Sequence, residues 1–306
     1  MVKIALAIHG GAGTILRSQM TPALEAEYRG GLETALKIGW EILEQGSSSL
    51  DAVEATVCSL EDFPLFNAGR GSVFTHEGKQ EMDACIMDGH NLKAGAVAFV
   101  KNIKNPVHLA RLVMERTEHV LLAGDGANQF AEQIGVHTEP DEYFFTEHRW
   151  LQLQEAIADG RIQLDHAVAK PIGTVGAVAC DTNGHLAAAT STGGMTNKKF
   201  GRIGDTPLVG LGNYADDTCA VSCTGHGEYF MLGVTAYDVA ARMKYKGLSL
   251  KEAARETIDH LTKINGEGGL IAVDTNGNIT LPFNSDGMYR GYVTLIGQIN
   301  VEIYGS

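Results

Sequence analysis

The stretch Gly173–Cys180, which reads GTVGAVAC, is rich in small and β-branched residues and predicts a buried β-strand. An Asn-Gly pair follows at residues 183–184 and is typical of a tight hairpin turn, because both residues tolerate the left-handed backbone conformation. The next stretch, His185–Thr192, predicts the returning strand and ends in a run of hydroxyl residues. The hairpin therefore predicts that Thr174 faces the hydroxyl groups of residues 190–192, with no bulky side chain between them.

Thr174 is a candidate nucleophile on one condition. A threonine hydroxyl is a weak nucleophile without a neighbouring base, and a threonine at a chain terminus can use its own α-amine as that base. Such an amine titrates at about pH 7.7–8.0 in model peptides. Thr174 is internal, so this chemistry requires prior cleavage of the Gly173–Thr174 bond, where glycine leaves the carbonyl accessible and tolerates a strained backbone. The alternative interpretation is an ordinary hairpin with surface threonines.

Composition and charge narrow the class of protein. The chain has 306 residues, of which 44% are hydrophobic and 20% charged, as in ordinary soluble globular proteins. This length allows one large domain or two small ones with a substantial core. The formal net charge of −13 argues against nucleic acid and anionic membranes as partners. A small anionic substrate remains compatible, because a pocket can carry local positive charge.

Targeting signals and cysteines predict a cytoplasmic protein. The apolar run within residues 1–11 is too short for a signal peptide and predicts a buried strand that enters a glycine turn. No run approaches the ~18 apolar residues of a membrane-spanning helix. The five cysteines are odd in number and lack CxxC spacing, which favours reduced thiols in a cytosolic protein.

Turn and capping signals divide the chain into alternating groups of strands and helices. Because hairpins outnumber crossovers, two sheets stacked between two helical layers fit this order better than a parallel doubly wound sheet. Before the central hairpin, the predicted elements are a helix from Thr21 to Gly46, a helix from Ser48 to Pro64, strands over Glu81–Asp88 and Ala94–Val100, and helices over Asn105–Met114, Ala127–Ile134 and Thr146–Ala158. After it, they are a strand from Ala220 into the turn at Thr224-Gly225, a helix from about Glu228 to Lys246, a helix capped by Ser249 and Glu252, and a second hairpin turn at Asp274–Gly277.

The segment of about residues 160–173 shows no sustained periodicity and predicts a flexible linker directly before Thr174. A self-cleaving precursor needs such a segment, because the new chain end must move away from the site. An ordinary surface loop explains the same composition equally well.

Seven short motifs occur in order along nearly the whole chain. They are His9–Gly13, Phe66–Gly69, Met82–Gly89, Gly173–Ala179, Ala189–Gly194, Gly201–Asp205 and Thr224–Glu228. With these motifs the sequence resembles the plant-type L-asparaginase/isoaspartyl aminopeptidase (β-aspartyl peptidase) family of N-terminal nucleophile hydrolases. Related glycosylasparaginases carry an aspartate before the nucleophilic threonine, so Gly173 favours the plant-type branch.

The resemblance implies an α+β fold, the four-layer αββα sandwich of N-terminal nucleophile hydrolases, formed as one domain over residues 1–306. It implies a precursor that cleaves itself between Gly173 and Thr174 into an α subunit, residues 1–173, and a β subunit, residues 174–306. The two pieces are expected to stay together, and two such units are expected to form a homodimer. Strain at the scissile bond is expected to assist cleavage, since a relaxed planar peptide resists attack.

The resemblance also assigns catalytic roles. Thr174 is expected to attack the side-chain amide carbon of L-asparagine or the β-aspartyl bond of an isoaspartyl dipeptide. Thr192 matches a hydroxyl that hydrogen-bonds the nucleophile, and Asn67 matches a further active-site position. The Thr224 hydroxyl and the Gly225 backbone N–H match the oxyanion hole.

Substrate binding is assigned by the same resemblance. Arg202 fits the substrate α-carboxylate, for which a planar bidentate donor is suited. Asp205 fits the α-ammonium group, and Gly225 and Gly227 add backbone contacts. The alternative for Arg202 and Asp205 is an ion pair on the surface.

The resemblance implies no cofactor for catalysis but a structural sodium ion held by backbone carbonyls. Oxygen ligands suit a hard alkali cation, whereas an ordinary helix-terminating loop has a similar sequence. Arg70 departs from the small or apolar residue common in relatives, and His226 is expected to belong to the pocket wall. The carbonyl ligands would come from Leu60, Glu61, Phe63, Phe66, Ala68 and Arg70.

Other classes of protein fit the sequence less well. The histidines form no HxH or HExxH arrangement for a metalloenzyme, and the GxSxG elbow of serine hydrolases is absent. A glycosylasparaginase-like hydrolase and a non-catalytic amino-acid-binding protein remain as alternatives. Release of ammonia from asparagine and of aspartate from β-aspartyl-leucine separates an enzyme from a binding protein.

Overall fold

The computed structural model describes residues 4–160, 173–294 and 296–305. The predicted linker, about residues 160–173, lies outside the described residues except at its two ends. Within the described residues, no helix combines the length and apolar character needed to cross a membrane.

Helices and strands alternate along the chain. The strands are β1 Ala5–Gly13, β2 Met82–Asp88, β3 Lys93–Val100, β4 Leu121–Ala123, β5 Val175–Cys180, β6 Leu186–Thr192, β7 Asn213–Ala215, β8 Cys219–Gly225, β9 Gly268–Asp274, β10 Ile279–Thr280, β11 Gly287–Val293 and β12 Ile299–Tyr304. The α-helices are α1 Pro22–Glu44, α2 Ser49–Glu61, α3 Pro106–Arg116, α4 Gly124–Gln133, α5 Asp141–Phe144, α6 Glu147–Ala158, α7 Gly227–Gly233, α8 Thr235–Lys246 and α9 Leu250–Lys263.

These strands form two sheets in the described part of the chain. The larger has eight strands in the order β12-β11-β1-β5-β6-β2-β3-β4, and the smaller has four in the order β10-β9-β8-β7. Every named pair is antiparallel except β3 and β4. The predicted central hairpin is confirmed as β5 and β6, with Val175 opposite Ser191. It occupies the middle of the larger sheet, where Thr174 enters strand β5.

Local capping explains where several helices begin. The Thr21 hydroxyl accepts a hydrogen bond from the Leu24 N–H at the start of α1, and proline follows at the first helical position. Ser48 caps α2 in the same way. Ser249 and Glu252 form a reciprocal capping box before α9. These signals depend on neighbouring residues alone, and the predicted helix starts are confirmed.

The single helix predicted from about Glu228 to Lys246 is wrong. The chain forms two helices, α7 and α8, because Val234 adopts a left-handed conformation with φ of 49°. The backbone N–H groups of Ala236 and Tyr237 donate to the carbonyls of Leu211 and Gly210. A distant loop thus satisfies donors at the start of α8, which compensates for the break.

Among the described residues, the buried apolar side chains form three groups. One fills the space between α1, α2 and the larger sheet and includes Leu6, Leu32, Leu36, Val53, Val57 and Val175. A second lies between α8, α9 and the smaller sheet and includes Val221, Val239, Leu261 and Leu270. The third joins strands of both sheets and includes Ala7, Val178, Ala188, Ala220 and Ile271. Its alanines allow the two sheets to approach closely around the hairpin, and the result is a mixed α/β protein with helices packed on both sheets.

Candidate active site

One small cavity collects most of the residues predicted for catalysis and substrate binding. It opens beside the start of β5 and the end of β6. Among its lining residues are Asn67, Gly173, Thr174, Thr192, Arg202, Asp205, Gly225 and Gly227. A larger cavity of about 360 Å³ lies beside Phe74, Phe145 and Trp150, and none of the predicted site residues lines it.

The hydroxyl groups of Thr174 and Thr192 meet as the hairpin predicts. Thr174 Oγ1 donates to Thr192 Oγ1 at 3.2 Å, and the Gly194 N–H donates to the same Thr192 oxygen at 3.0 Å. Both threonines are buried, although Thr174 keeps 8% of its surface accessible toward the cavity. Thr192 thus fixes the rotamer of the Thr174 hydroxyl while a small substrate can still reach it.

Thr224 lies next to the Gly173–Thr174 bond, and its hydroxyl donates no hydrogen bond within the part of the chain that the structure describes. Its Oγ1 accepts a hydrogen bond from the Ala12 N–H at 3.2 Å, and a hydroxyl that accepts retains its proton for donation. An ideal Cβ on Gly173 would lie 2.9 Å from this oxygen and 2.4 Å from the Cα of Gly11. Only glycine therefore fits at position 173, directly beside a hydroxyl donor.

In the oxyanion-hole role that the resemblance implies for Thr224, replacement by valine is expected to lower kcat for L-asparagine about 10²- to 10³-fold, because the oxyanion would lose one hydrogen-bond donor. The isosteric change keeps the methyl packing of this buried side chain. Activity should be measured per amount of fragment that begins at Thr174. Thr224→Ser serves as the matched control with the hydroxyl retained, and an unchanged kcat in the valine variant would contradict the role.

Arg202 forms a bidentate ion pair with Glu228, a partner that sequence reasoning missed. Its Nε and Nη2 donate to the two carboxylate oxygens of Glu228, each at 2.8 Å. Burial opposes ionisation of Glu228, but hydrogen bonds from His226 and Arg202 lower its pKa below the usual range. Because Glu228 uses only the Nε/Nη2 edge, the Nη1/Nη2 edge of the guanidinium remains to bind a second carboxylate.

Asp205 is a buried carboxylate that faces the same cavity. Within the described residues, its Oδ2 has no hydrogen-bond partner, and the side chain forms no ion pair with Arg202. An ideal Cβ on Gly227 would lie 2.8 Å from Arg202 Nη2 and 2.8 Å from Asp205 Oδ1, so Gly227 leaves room between the two groups. The alternative of a surface ion pair is wrong, since both charges point into one cavity without pairing.

The KM for L-asparagine is expected to rise about tenfold from about pH 8 to about pH 5, because Asp205 then loses its charge. Burial raises the pKa of Asp205 to about 6, although the Arg202 charge opposes this shift. In the role that the resemblance implies for Asp205, the carboxylate attracts the substrate ammonium group above pH 6, and the protonated acid below pH 6 does not. KM would isolate this titration, since the same resemblance assigns the Thr174 amine to the chemical step. Asp205→Asn should have a high KM that does not vary with pH. If KM in this variant still varies with pH as in the wild type, the titrating group is not Asp205.

The amide of Asn67 is already engaged in hydrogen bonds to the backbone. Its Nδ2 donates to the Gly194 carbonyl at 2.7 Å, and its Oδ1 accepts from the Val73 N–H at 3.0 Å. Its own carbonyl accepts from the Gly193 N–H at 3.1 Å. Asn67 therefore fixes the turn that follows Thr192 and acts as a positioning residue.

A buried lysine supports this turn from the opposite side, and sequence reasoning gave it no role. Lys198 is 1% exposed, and its Nζ donates to the carbonyls of Gly193 and Glu81 at 3.0 and 2.7 Å. Burial lowers the pKa of Lys198, while the charge of Asp83 opposes this effect. No periodicity or spacing signals such a contact, because Lys198 reaches back into the chain by 117 residues.

The residues predicted for sodium binding form a tight loop after α2. Ideal Cβ atoms would lie 2.1 Å from the Phe66 carbonyl oxygen at Gly71 and 2.5 Å from the Glu61 carbonyl oxygen at Gly69. Carbonyl oxygens therefore lie close to two glycines in this loop, and neutral oxygen atoms are the type of ligand that suits an alkali cation. Arg70 is exposed and lies over the Tyr143 ring at 5.3 Å, so its side chain leaves the interior of the loop free.

His226 lies outside the cavity lining. Its Nε2 contacts Glu228 Oε2 at 3.2 Å, and its ring packs edge-on against Tyr229. This position gives it contact with the partner of Arg202 rather than with Thr174. The expectation that His226 belongs to the pocket wall is therefore wrong. His226 lies behind Glu228, outside the residues that line the cavity.

Comparison with known proteins agrees with the geometry. The family model described as asparaginase matches residues 2–303. An isoaspartyl peptidase of Salmonella typhimurium is 53% identical over 299 residues, which cover 95% of this chain and 96% of the relative. An isoaspartyl peptidase of Escherichia coli is 52% identical and covers 95% and 93%. A probable isoaspartyl peptidase/L-asparaginase 2 of Arabidopsis thaliana is 41% identical and covers 98% of both chains. The chain therefore belongs to the asparaginase family.

Proposed function

We propose that this chain is a hydrolase with a threonine nucleophile that converts L-asparagine to L-aspartate and ammonia and cleaves β-aspartyl dipeptides. One observation carries the proposal: the Thr174–Thr192 hydroxyl pair shares a cavity with the open edge of Arg202 and with the Asp205 carboxylate, whose Oδ2 has no hydrogen-bond partner among the described residues. The names of the relatives, isoaspartyl peptidase and L-asparaginase, support the same activities.

The two charged side chains match the common part of both substrates. Asparagine and an isoaspartyl residue each carry an α-carboxylate and an α-ammonium group on one carbon. We place the carboxylate on the open edge of Arg202 and the ammonium on Asp205, so that the side-chain carbonyl carbon points toward Thr174. Whatever follows the β-amide nitrogen then points out of the cavity, which accommodates both ammonia and a peptide leaving group.

The precursor is proposed to cleave itself first. Thr174 Oγ attacks the Gly173 carbonyl carbon, the peptide C–N bond breaks, and the Thr174 nitrogen takes the proton, which leaves an ester. Water then hydrolyses that ester. This step breaks the covalent link between residues 1–173 and residues 174–306, which stay associated, and leaves a free α-amine on Thr174. The crowding of Gly173 between Gly11 and Thr224 supports this step, since it confines the scissile carbonyl beside a hydroxyl donor.

The free amine then serves the hydrolytic reaction. It accepts the proton of the Thr174 hydroxyl as Oγ attacks the substrate carbonyl, and the Thr224 hydroxyl and Gly225 N–H stabilise the oxyanion. Collapse of the intermediate breaks the C–N bond and protonates the leaving amine. Water hydrolyses the resulting aspartyl ester, and Thr174 regains its proton. This sequence requires no cofactor.

We also propose the finer architecture and assembly that the resemblance implies. Helices against the outer face of each sheet and a shared core between the sheets support the four-layer αββα sandwich. A homodimer of cleaved units and a cytoplasmic location remain proposals. The five free cysteines, four of them buried, are compatible with a reducing compartment.

We propose that the loop after α2 binds a structural sodium ion through the carbonyls of Leu60, Glu61, Phe63, Phe66, Ala68 and Arg70. The ion would hold the loop that carries Asn67 and takes no part in bond breaking. At sodium concentrations well above the dissociation constant, each tenfold increase in concentration is expected to raise the free energy of unfolding by about 1.4 kcal/mol. This stabilisation is measured by comparing thermal unfolding in sodium with unfolding in a bulky organic cation at equal ionic strength. Identical unfolding curves would exclude the site.

The test of the proposed function joins a gel to two assays. Purified protein is separated on a denaturing gel, the smaller band is sequenced from its N-terminus, and the same sample is assayed with L-asparagine and β-aspartyl-leucine. A fragment that begins Thr-Val-Gly-Ala, together with turnover of either substrate, is expected. Fully cleaved protein without turnover of both substrates would indicate a binding protein instead.

A further inference from the structure

A chain of buried polar side chains begins at the backbone of Thr174 and runs between the two sheets. His9 Nδ1 lies 2.8 Å from the Thr174 carbonyl oxygen, and His9 Nε2 lies 2.8 Å from Ser222 Oγ. Ser222 Oγ lies 2.7 Å from Thr190 Oγ1, which also accepts from Asn213 Nδ2 at 2.9 Å. All four side chains are completely buried. The function assigned above to the site uses none of them.

Acceptor chemistry and the neutral state of His9 fix the directions of the two hydrogen bonds that His9 makes. A carbonyl oxygen only accepts, so His9 Nδ1 must carry a proton. Burial lowers the pKa of His9 to about 3 despite the hydrogen bond to Thr174, so the ring is neutral and Nε2 accepts. Ser222 then donates to Nε2 and accepts from Thr190. A 3.4 Å contact with the Gly212 carbonyl is the weaker alternative for the Thr190 proton.

The surrounding backbone reserves space for this arrangement. An ideal Cβ on Gly176 would lie 2.0 Å from Ser222 Oγ and 2.4 Å from His9 Nε2. A side chain at position 176 would therefore displace the hydrogen bond between His9 and Ser222. His9 pairs with Gly176 across β1 and β5, while Ser222 lies on β8 of the smaller sheet. This series of hydrogen bonds therefore connects both sheets to Thr174, the residue that carries the nucleophile.

We propose that His9 is a positioning residue that holds the Thr174 carbonyl through its Nδ1–H, with Ser222, Thr190 and Asn213 keeping the proton on that nitrogen. The proposal rests on the proposed function, in which Thr174 is the nucleophile. Once the Gly173–Thr174 bond is cut, rotation about the Cα–C bond of Thr174 swings both its hydroxyl and its amine. The hydrogen bond from His9 holds the peptide plane of the Thr174 carbonyl, and with it the position of Cα and the axis of that rotation. The Thr192 contact then fixes the hydroxyl about this axis.

A matched pair of variants separates this role from simple packing. In His9→Asn, the amide nitrogen occupies the position of Nδ1 and can still donate to Thr174. In His9→Gln, the amide reaches the position of Nε2, and the Thr174 carbonyl loses its partner. We expect His9→Gln to lower kcat per cleaved enzyme by about 10²-fold with little change in KM, and His9→Asn to recover most of the loss. Equal losses in both variants, or a loss confined to KM, would overturn the proposal.

The tautomer of His9 gives a second readout, which is measured on the folded protein and not through catalytic turnover. Nitrogen-15 NMR of protein labelled at histidine distinguishes protonated from bare ring nitrogens, and His9→Gln identifies the signal. We expect a proton on Nδ1 and none on Nε2. Wild-type protein that splits and turns over substrate, but carries the His9 proton on Nε2, would overturn the role of His9 alone. Wild-type protein that neither splits nor reacts would overturn the proposed function, and the role of His9 with it.

Discussion

Replacing Thr174 with alanine is expected to leave one uncleaved chain and to lower turnover of L-asparagine by about 10⁴- to 10⁶-fold. In the proposed mechanism the same oxygen attacks first the Gly173 carbonyl and then the substrate, so one substitution removes both steps. The α-amine also stays inside a peptide bond, which removes the base. A denaturing gel with intact-mass measurement follows cleavage, and ammonia release follows turnover.

Thr174→Ser is the matched control for this result. Serine keeps the hydroxyl within reach of Thr192 Oγ1, which lies 3.2 Å away in the wild type, and loses only the methyl group. It should therefore split and retain measurable turnover. Similar melting temperatures for the alanine and serine variants would show that both fold. An alanine variant that still splits at Gly173–Thr174 would show that another group performs the cleavage.

The central hairpin illustrates what local sequence predicts well. The Asn-Gly turn sets the pairing of β5 and β6, and that pairing alone brings Thr174 to Thr192 across 18 residues. The capping residues Thr21, Ser48 and Ser249 likewise act on backbone groups three residues away. Turn and cap chemistry depends on neighbours in the chain, so these features are readable before the fold is known.

Contacts between distant segments explain what sequence reasoning missed. Gly233 and Val234 sit inside a helical pattern, and the break there is stabilised by carbonyls of a loop more than 20 residues away. Ser222 meets His9 across 213 residues, although His9 begins one of the motifs noted in the sequence and Ser222 lies in a predicted strand. Such pairings follow from how the two sheets stack, and no periodicity within either segment encodes them.

The pairing of Arg202 shows how such a contact changes the chemical interpretation. Sequence reasoning placed Arg202 and Asp205 together and left open whether they form an ion pair. In the structure Glu228 takes one edge of the guanidinium, and Asp205 keeps an unpaired oxygen within the described residues. This division leaves one cationic edge and one anionic group for a zwitterionic substrate, so an acidic protein can still select a carboxylate.

Replacing Arg202 with alanine is expected to lower kcat/KM for L-asparagine about 30- to several-thousand-fold, mainly through KM. Truncating one partner of a buried, hydrogen-bonded charge pair typically costs about 2–5 kcal/mol, and each 1.4 kcal/mol corresponds to about tenfold. Removal of the guanidinium also leaves the Glu228 carboxylate facing the substrate carboxylate. Steady-state kinetics on fully cleaved enzyme gives the division between KM and kcat.

Glu228→Gln provides the matched control, because it keeps Arg202 and the shape of its partner while removing the negative charge. It should weaken binding less than Arg202→Ala, since the open edge of the guanidinium persists. Both variants are expected to split normally, because in the proposed mechanism Arg202 binds the substrate and takes no part in the attack of Thr174 on Gly173. An Arg202→Ala chain that remains uncleaved, or one whose KM equals that of the wild type, would contradict the assignment of the α-carboxylate to this guanidinium.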